Sequence, residues 1–325
     1  MLRSEPGRLP RAPQGAFDVA PGRLGFGCAS LGSRIGADAG LRALAEAYEQ
    51  GVNWFDVAPA YGAGDAESLL AQFIKGRRDD LLLTTKVGIA PPRRLGAIKL
   101  AFALGRPVIG AASGLRRAFR KVSATRNVHA PLSPDLIEQS IGASLRRLGT
   151  DRVDVYALHD PDPADVGRDD VARALERVIA RGQARQVGVA GTADACRIAR
   201  KLGAPYGVLQ TGVAELAAAR AELSGGAQRI VLHSMFGVDG LKRRVERLLA
   251  QDRARIQRLV AAGYANEPGR AAAELLADYA FALNPQGVVL ASMFDARHLA
   301  ANMDRASRPT ALQAIGLLEE TIGRG

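Results

Sequence analysis

The stretch Gly51-Val-Asn-Trp-Phe-Asp56-Val-Ala-Pro-Ala-Tyr61-Gly62 sets a carboxylate and a phenol just past a short apolar run, where a buried strand opens into a loop. Two later runs end in the same way. Lys86 closes Leu81-Leu-Leu-Thr-Thr-Lys86, and His159 closes Val153-Asp-Val-Tyr-Ala-Leu-His159. Ionisable side chains at the carboxyl ends of successive strands are the layout of a parallel α/β barrel active site.

The rest of the chain keeps that rhythm of strand and helix, which predicts a parallel sheet. Leu24-Gly-Phe-Gly-Cys28 is a first strand, and strands ending at Ala190, Gln210, His233 and Ala291 follow, each preceded by a helical stretch. Ser133-Pro-Asp135 marks a helix start, with Ser as N-cap and Pro at the first helical position. Eight strand ends in 325 residues predict a single (β/α)8 TIM barrel over 1–325. A hydrophobic content of 47% suffices for the core of such a barrel. Cys28 and Cys196 are the only cysteines, which argues against a disulfide scaffold and fits a reducing compartment. With no apolar leader at the start, a cytoplasmic location is expected. Residues 1–21, rich in Pro and Gly, read as a loose tail.

One segment breaks the rhythm. Residues 90–132 separate the Lys86 strand from the Ser133 helix, where a few residues suffice. No Asp or Glu occurs between Asp80 and Asp135, while Lys86, Arg93, Arg94, Lys99, Arg106, Arg116, Arg117, Arg120, Lys121 and Arg126 do. Those ten charges nearly equal the net charge of +11, so the remainder is close to neutral. A loop leaving a strand's carboxyl end overhangs the barrel mouth. We read it as a basic, lid-like insertion, matched to an anionic target such as a phosphorylated substrate, the phosphates of a cofactor or an acidic surface; its glycines and charges do not suit a transmembrane span. Its only aromatics are Phe102 and Phe119, and no nucleic-acid motif is present, so nucleic acid is not an expected partner. His129, in the same segment, reads as solvated.

Asp56, Tyr61, Lys86 and His159 make a proton-handling set. A free phenol titrates near pH ~10. A nearby ammonium is expected to lower that value, and a paired aspartate to keep the lysine charged and fixed. Neutral imidazole can hydrogen-bond a substrate carbonyl. Together they suit a tyrosine that protonates a carbonyl oxygen as hydride reaches carbon. The set offers neither a nucleophile nor a metal site.

At these residues the chain resembles the aldo-keto reductase superfamily. Gly51–Gly62 is similar to its Asp/Tyr signature, Thr84-Thr-Lys86-Val to its lysine strand, and Leu158-His159-Asp-Pro-Asp to its histidine strand. The resemblance implies a (β/α)8 barrel binding NADP(H), with NAD(H) as the alternative, in an extended pose. It also implies cofactor contacts: Gln210 for the carboxamide, and His233-Ser234-Met-Phe-Gly237 where the family has Tyr-Ser-Ala-Leu-Gly. Ser292, Met293, Arg297, His298 and Asn302 fall on the stretch that holds the adenosine phosphate. The chain departs from the pattern in three places. Ala190-Gly191 replaces Ser-Asn, His298 stands where an Arg commonly clamps the 2′-phosphate, and Ser292 replaces a frequent Lys. Fewer grips imply weaker cofactor binding, with Arg297 or Arg305 as compensating cations. The function so implied is an aldo-keto reductase acting on an aldehyde, ketone or aldose, its substrate anionic if the insertion reads it. The alternative is a catalytically weak nicotinamide-binding sensor or accessory protein.

Overall fold

A computed structural model of the chain describes residues 17–90, 128–238 and 240–323. Eight parallel strands close into a barrel: β1 (Leu24–Gly27), β2 (Trp54–Asp56), β3 (Leu82–Val87), β6 (Val153–His159), β7 (Ala184–Ala190), β8 (Tyr206–Gly212), β9 (Arg229–His233) and β10 (Val288–Ala291). The expected (β/α)8 fold is therefore present. Two further strands, β4 (Ile89–Ala90) and β5 (Val128–His129), form a small antiparallel ribbon above the Lys86 strand. Residues 91–127, the bulk of the lid-like insertion, lie outside the described residues.

Successive side chains of a strand point to opposite faces, and that rule sorts every barrel strand. Phe55, Leu83, Tyr156, Leu158, Leu209, Leu232 and Val289 face outward into the core shared with the helices. Trp54, Leu82, Val155, Val208, Val231, Val288 and Leu290 face inward and fill the barrel. Helices Ala37–Glu49, Ala66–Ile74, Pro134–Leu148, Asp169–Ala180 and Ala193–Leu202 surround the first strands. The Pro134–Leu148 helix starts as read, with Ser133 Oγ accepting from Leu136 N at 3.1 Å. The long stretch after β9 folds as helices Leu241–Gln251, Arg253–Ala261 and Pro268–Leu283, with breaks at Asp252, around Gly263 and before Pro268. Among the described residues no helix is long and apolar enough to cross a membrane.

Of the stretch read as a loose tail, residues 17–21 are tied beneath the barrel. Phe17 meets Trp54 edge-on at 5.5 Å, Asp18 pairs with Arg185 at 2.7 Å, and Asn53 Nδ2 donates to Ala20 O at 2.8 Å.

Candidate active site

Continuing the inward face past the apolar layer gives Asp56 on β2, Gln210 on β8 and His233 on β9 one step on, and Lys86 on β3 and His159 on β6 two steps on. All lie at the carboxyl end. Alternation alone thus lifts the polar residues onto one rim.

Lys86 is the hub. Its Nζ donates to Asp56 Oδ1 at 2.6 Å, to Val57 O at 3.2 Å and to Tyr61 OH at 3.3 Å. The Tyr61 and His159 rings meet edge-on at 5.8 Å. All four residues of the expected proton-handling set are therefore in one place. Tyr61 opens a short 3-10 turn, Tyr61–Gly64, that presses against the loop after β1. Gly62 allows this approach: it has φ +62°, and a Cβ there would sit 1.9 Å from Leu31 O.

Burial sets the electrostatics. Lys86 and Asp56 are 1% and 3% exposed. Burial alone would lower the Lys86 pKa, but Asp56 and the Tyr61 hydroxyl outweigh it and raise the value. The Tyr61 phenol is pushed up by burial, against the opposing charge of Lys86. This corrects the expectation of a lowered phenol: proximity to Lys86 is present, but loss of water dominates. Burial, with Lys86 second, drives His159 down to about 2, so its imidazole is neutral. His233 is also lowered by burial, and its Nδ1 lies 3.0 Å from Ser234 Oγ.

A cavity of about 390 Å³ opens beside His159, lined in part by Gly88, His129, Leu132, Asp160, Asp162 and Asp165. His129, expected to be merely solvated, is carried to this wall by the pairing of Ile89 with His129. Asp160 was visible in the sequence as the neighbour of His159 but drew no role.

The residues expected to hold a cofactor occupy the arc from β8 to β10 and the turn and helix beyond it. Gln210 and Asn302 are each 4% exposed, yet no hydrogen bond joins either side-chain amide to the described residues. Both therefore keep polar capacity for a ligand, which fits a nicotinamide dinucleotide. Ser292 Oγ donates to Gly27 O at 3.3 Å, and Gly237 closes the turn after His233 with φ +75°. His298 is exposed. Three of the residues named for the cofactor are already engaged within the protein. The Met293 side chain is 1% exposed and part of the core. Arg297 forks onto Asp295, with Nη2 to Oδ2 at 2.8 Å. Arg305 is buried on Glu274 at 2.6 Å and Asp278 at 3.2 Å, so it is not a spare phosphate clamp.

The fold is a parallel barrel with a Lys-centred polar rim, and sequence comparison gives the family. The chain belongs to the aldo/keto reductase family, whose profile matches residues 23–223. It is 31% identical over 188 residues to a D-threo-aldose 1-dehydrogenase from a Pseudomonas species, covering 54% of this chain and 51% of that one. It is 28% identical over 191 residues to the NADH-specific methylglyoxal reductase of Escherichia coli, covering 56% and 52%. The chain thus spans about half the length of the curated relatives it matches. Among solved structures, a holo aldo-keto reductase from Bacillus halodurans superposes with a TM-score of 0.66 at 20% identity, covering 97% of this chain and 96% of that one. The glycerol dehydrogenase of Gluconobacter oxydans gives 0.67 at 17% identity, covering 98% and 94%. These structural likenesses concern the fold.

Proposed function

We propose that this protein interconverts a carbonyl and an alcohol on an aldehyde, ketone or sugar, with Tyr61 as the proton donor and acceptor. The observation that carries this reading is the Lys86 ammonium, buried and hydrogen-bonded at once to Asp56 and Tyr61. A neutral phenol beside a fixed positive charge can give its proton to a carbonyl oxygen and leave a phenolate already compensated. Asp56 holds Lys86 charged, and the neutral His159 edge orients the same oxygen. Bound NADP(H), or NAD(H), supplies the hydride. Gln210, His233, Ser234, Gly237, Ser292, His298 and Asn302 are the residues proposed to hold it. The relatives named for an aldose and for methylglyoxal support a small carbonyl substrate.

The engaged state of Arg297 and Arg305 favours a second reading, a nicotinamide-binding accessory protein with weak chemistry. Screening the purified protein on aldehydes, ketones and aldoses with both nicotinamides separates the two. Turnover of any of these carbonyls supports the reductase; tight cofactor binding without turnover supports the accessory role.

A further inference from the structure

Three non-glycine residues among those described hold a left-handed backbone: Ala63 (φ +57°), Asp160 (φ +45°) and Ser234 (φ +58°). Each lies past the carboxyl end of a barrel strand, around the mouth. L side chains rarely adopt this conformation, and a glycine at 160 would relieve it. Instead the chain puts a carboxylate there. Asp160 N donates to Ala190 O at 2.7 Å, which pins the residue to the end of β7. A Cβ on Gly191 would stand 3.7 Å from Asp160 Oδ1, so the bare glycine leaves that side of the carboxylate open.

The three carboxylates of the cavity wall differ. Asp162 Oδ1 accepts from Ala164 N at 2.8 Å, and Asp165 Oδ1 accepts from Arg168 Nη1 at 2.9 Å. Asp160 is exposed, and among the described residues its carboxylate has no partner. Its negative charge also reaches Tyr61 and His233, both of whose proton affinities it raises, so it sits on the reacting side of the cavity.

We infer that Asp160 is a specificity-determining residue whose carboxylate accepts hydrogen bonds from hydroxyls on the carbons next to the reacting carbonyl, selecting a polyhydroxylated substrate. This assignment rests on the carbonyl–alcohol reading above. An ionised carboxylate has acceptor sites only, so it matches a ligand that offers O–H donors, and charge-assisted bonds are the stronger kind. His129, on the same wall, can engage a further hydroxyl. The same carboxylate disfavours an anionic group beside the carbonyl, as in a 2-oxo acid.

Glyceraldehyde and propanal differ only in hydroxyls, so the ratio of their kcat/KM values reads this contact. In Asp160→Gly the ratio should fall about ten- to hundred-fold, the value of a hydrogen bond to a charged group. Asp160→Asn, which keeps an acceptor, should recover part of it, and the thermal midpoints of both variants should match wild type or exceed it. An unchanged ratio overturns the assignment. If wild type reduces neither compound, the wider carbonyl panel decides the reductase reading, and saturation-transfer NMR with sorbitol decides the assignment alone. A sorbitol signal lost in Asp160→Gly supports it; equal signals in the two proteins overturn it.

Discussion

At Lys86 an ammonium 1% exposed to water survives because Asp56 Oδ1 lies 2.6 Å away and Val57 O and Tyr61 OH accept its other hydrogen bonds. A buried charge without such partners would neutralise. The consequence falls on Tyr61, whose pKa burial raises against the pull of Lys86. Reduction needs the protonated phenol, which persists beyond the ordinary value of about 10. The kcat/KM for carbonyl reduction should therefore stay level from neutrality through pH ~9. Alcohol oxidation needs the phenolate and should rise with pH across the same range. A reduction limb that falls near neutral pH would contradict the assignment. The residue types and their order were legible in the sequence. The sign of the Tyr61 shift was not, because it depends on how completely water is removed.

Among the elements, the strands were legible because each is a short apolar run ending in a polar residue, and period-two alternation then fixes which side chains face the mouth. The ribbon was not: β4 and β5 are two residues each and far apart in sequence, so nothing local announces that Ile89 meets His129. Nor was the belt tying β3 to its flanking helices. Thr85 faces outward and donates to Glu67 Oε1 at 2.7 Å, while Arg147 Nε pairs with Glu67 Oε2 at 2.5 Å. Glu67 is 1% exposed, so Arg147→Ala leaves a buried carboxylate without its cation. We expect a loss of about 3 kcal/mol in urea unfolding, partly restored by adding Glu67→Gln. A loss below about 0.5 kcal/mol, the level of a surface pair, would show that the belt is not structural.

At the scale of the molecule, the barrel works as two ends. The carboxyl rim carries the polar site, and the opposite end is closed by Phe17 and Val19 packed under the inward-facing cluster around Trp54. Pro and Gly content hid this closure in the sequence, since an aromatic in a polar stretch does not reveal its docking surface. Phe17→Ala should cost about 2 kcal/mol of stability, below the cost at a fully buried Phe because the site is half-exposed. The variant's kcat should stay near wild type, because the change is at the far end from Tyr61. A stable Phe17→Ala protein with a collapsed kcat would contradict this division of the barrel. The central claim rests on one oxygen atom at the other end. Tyr61→Phe removes the proton and keeps the ring, so the measurement is carbonyl-dependent oxidation of NADPH or NADH by this variant, alongside cofactor binding by fluorescence titration. The account predicts that turnover is abolished while cofactor affinity stays within about three-fold, well under 1 kcal/mol; turnover at the wild-type rate would contradict it.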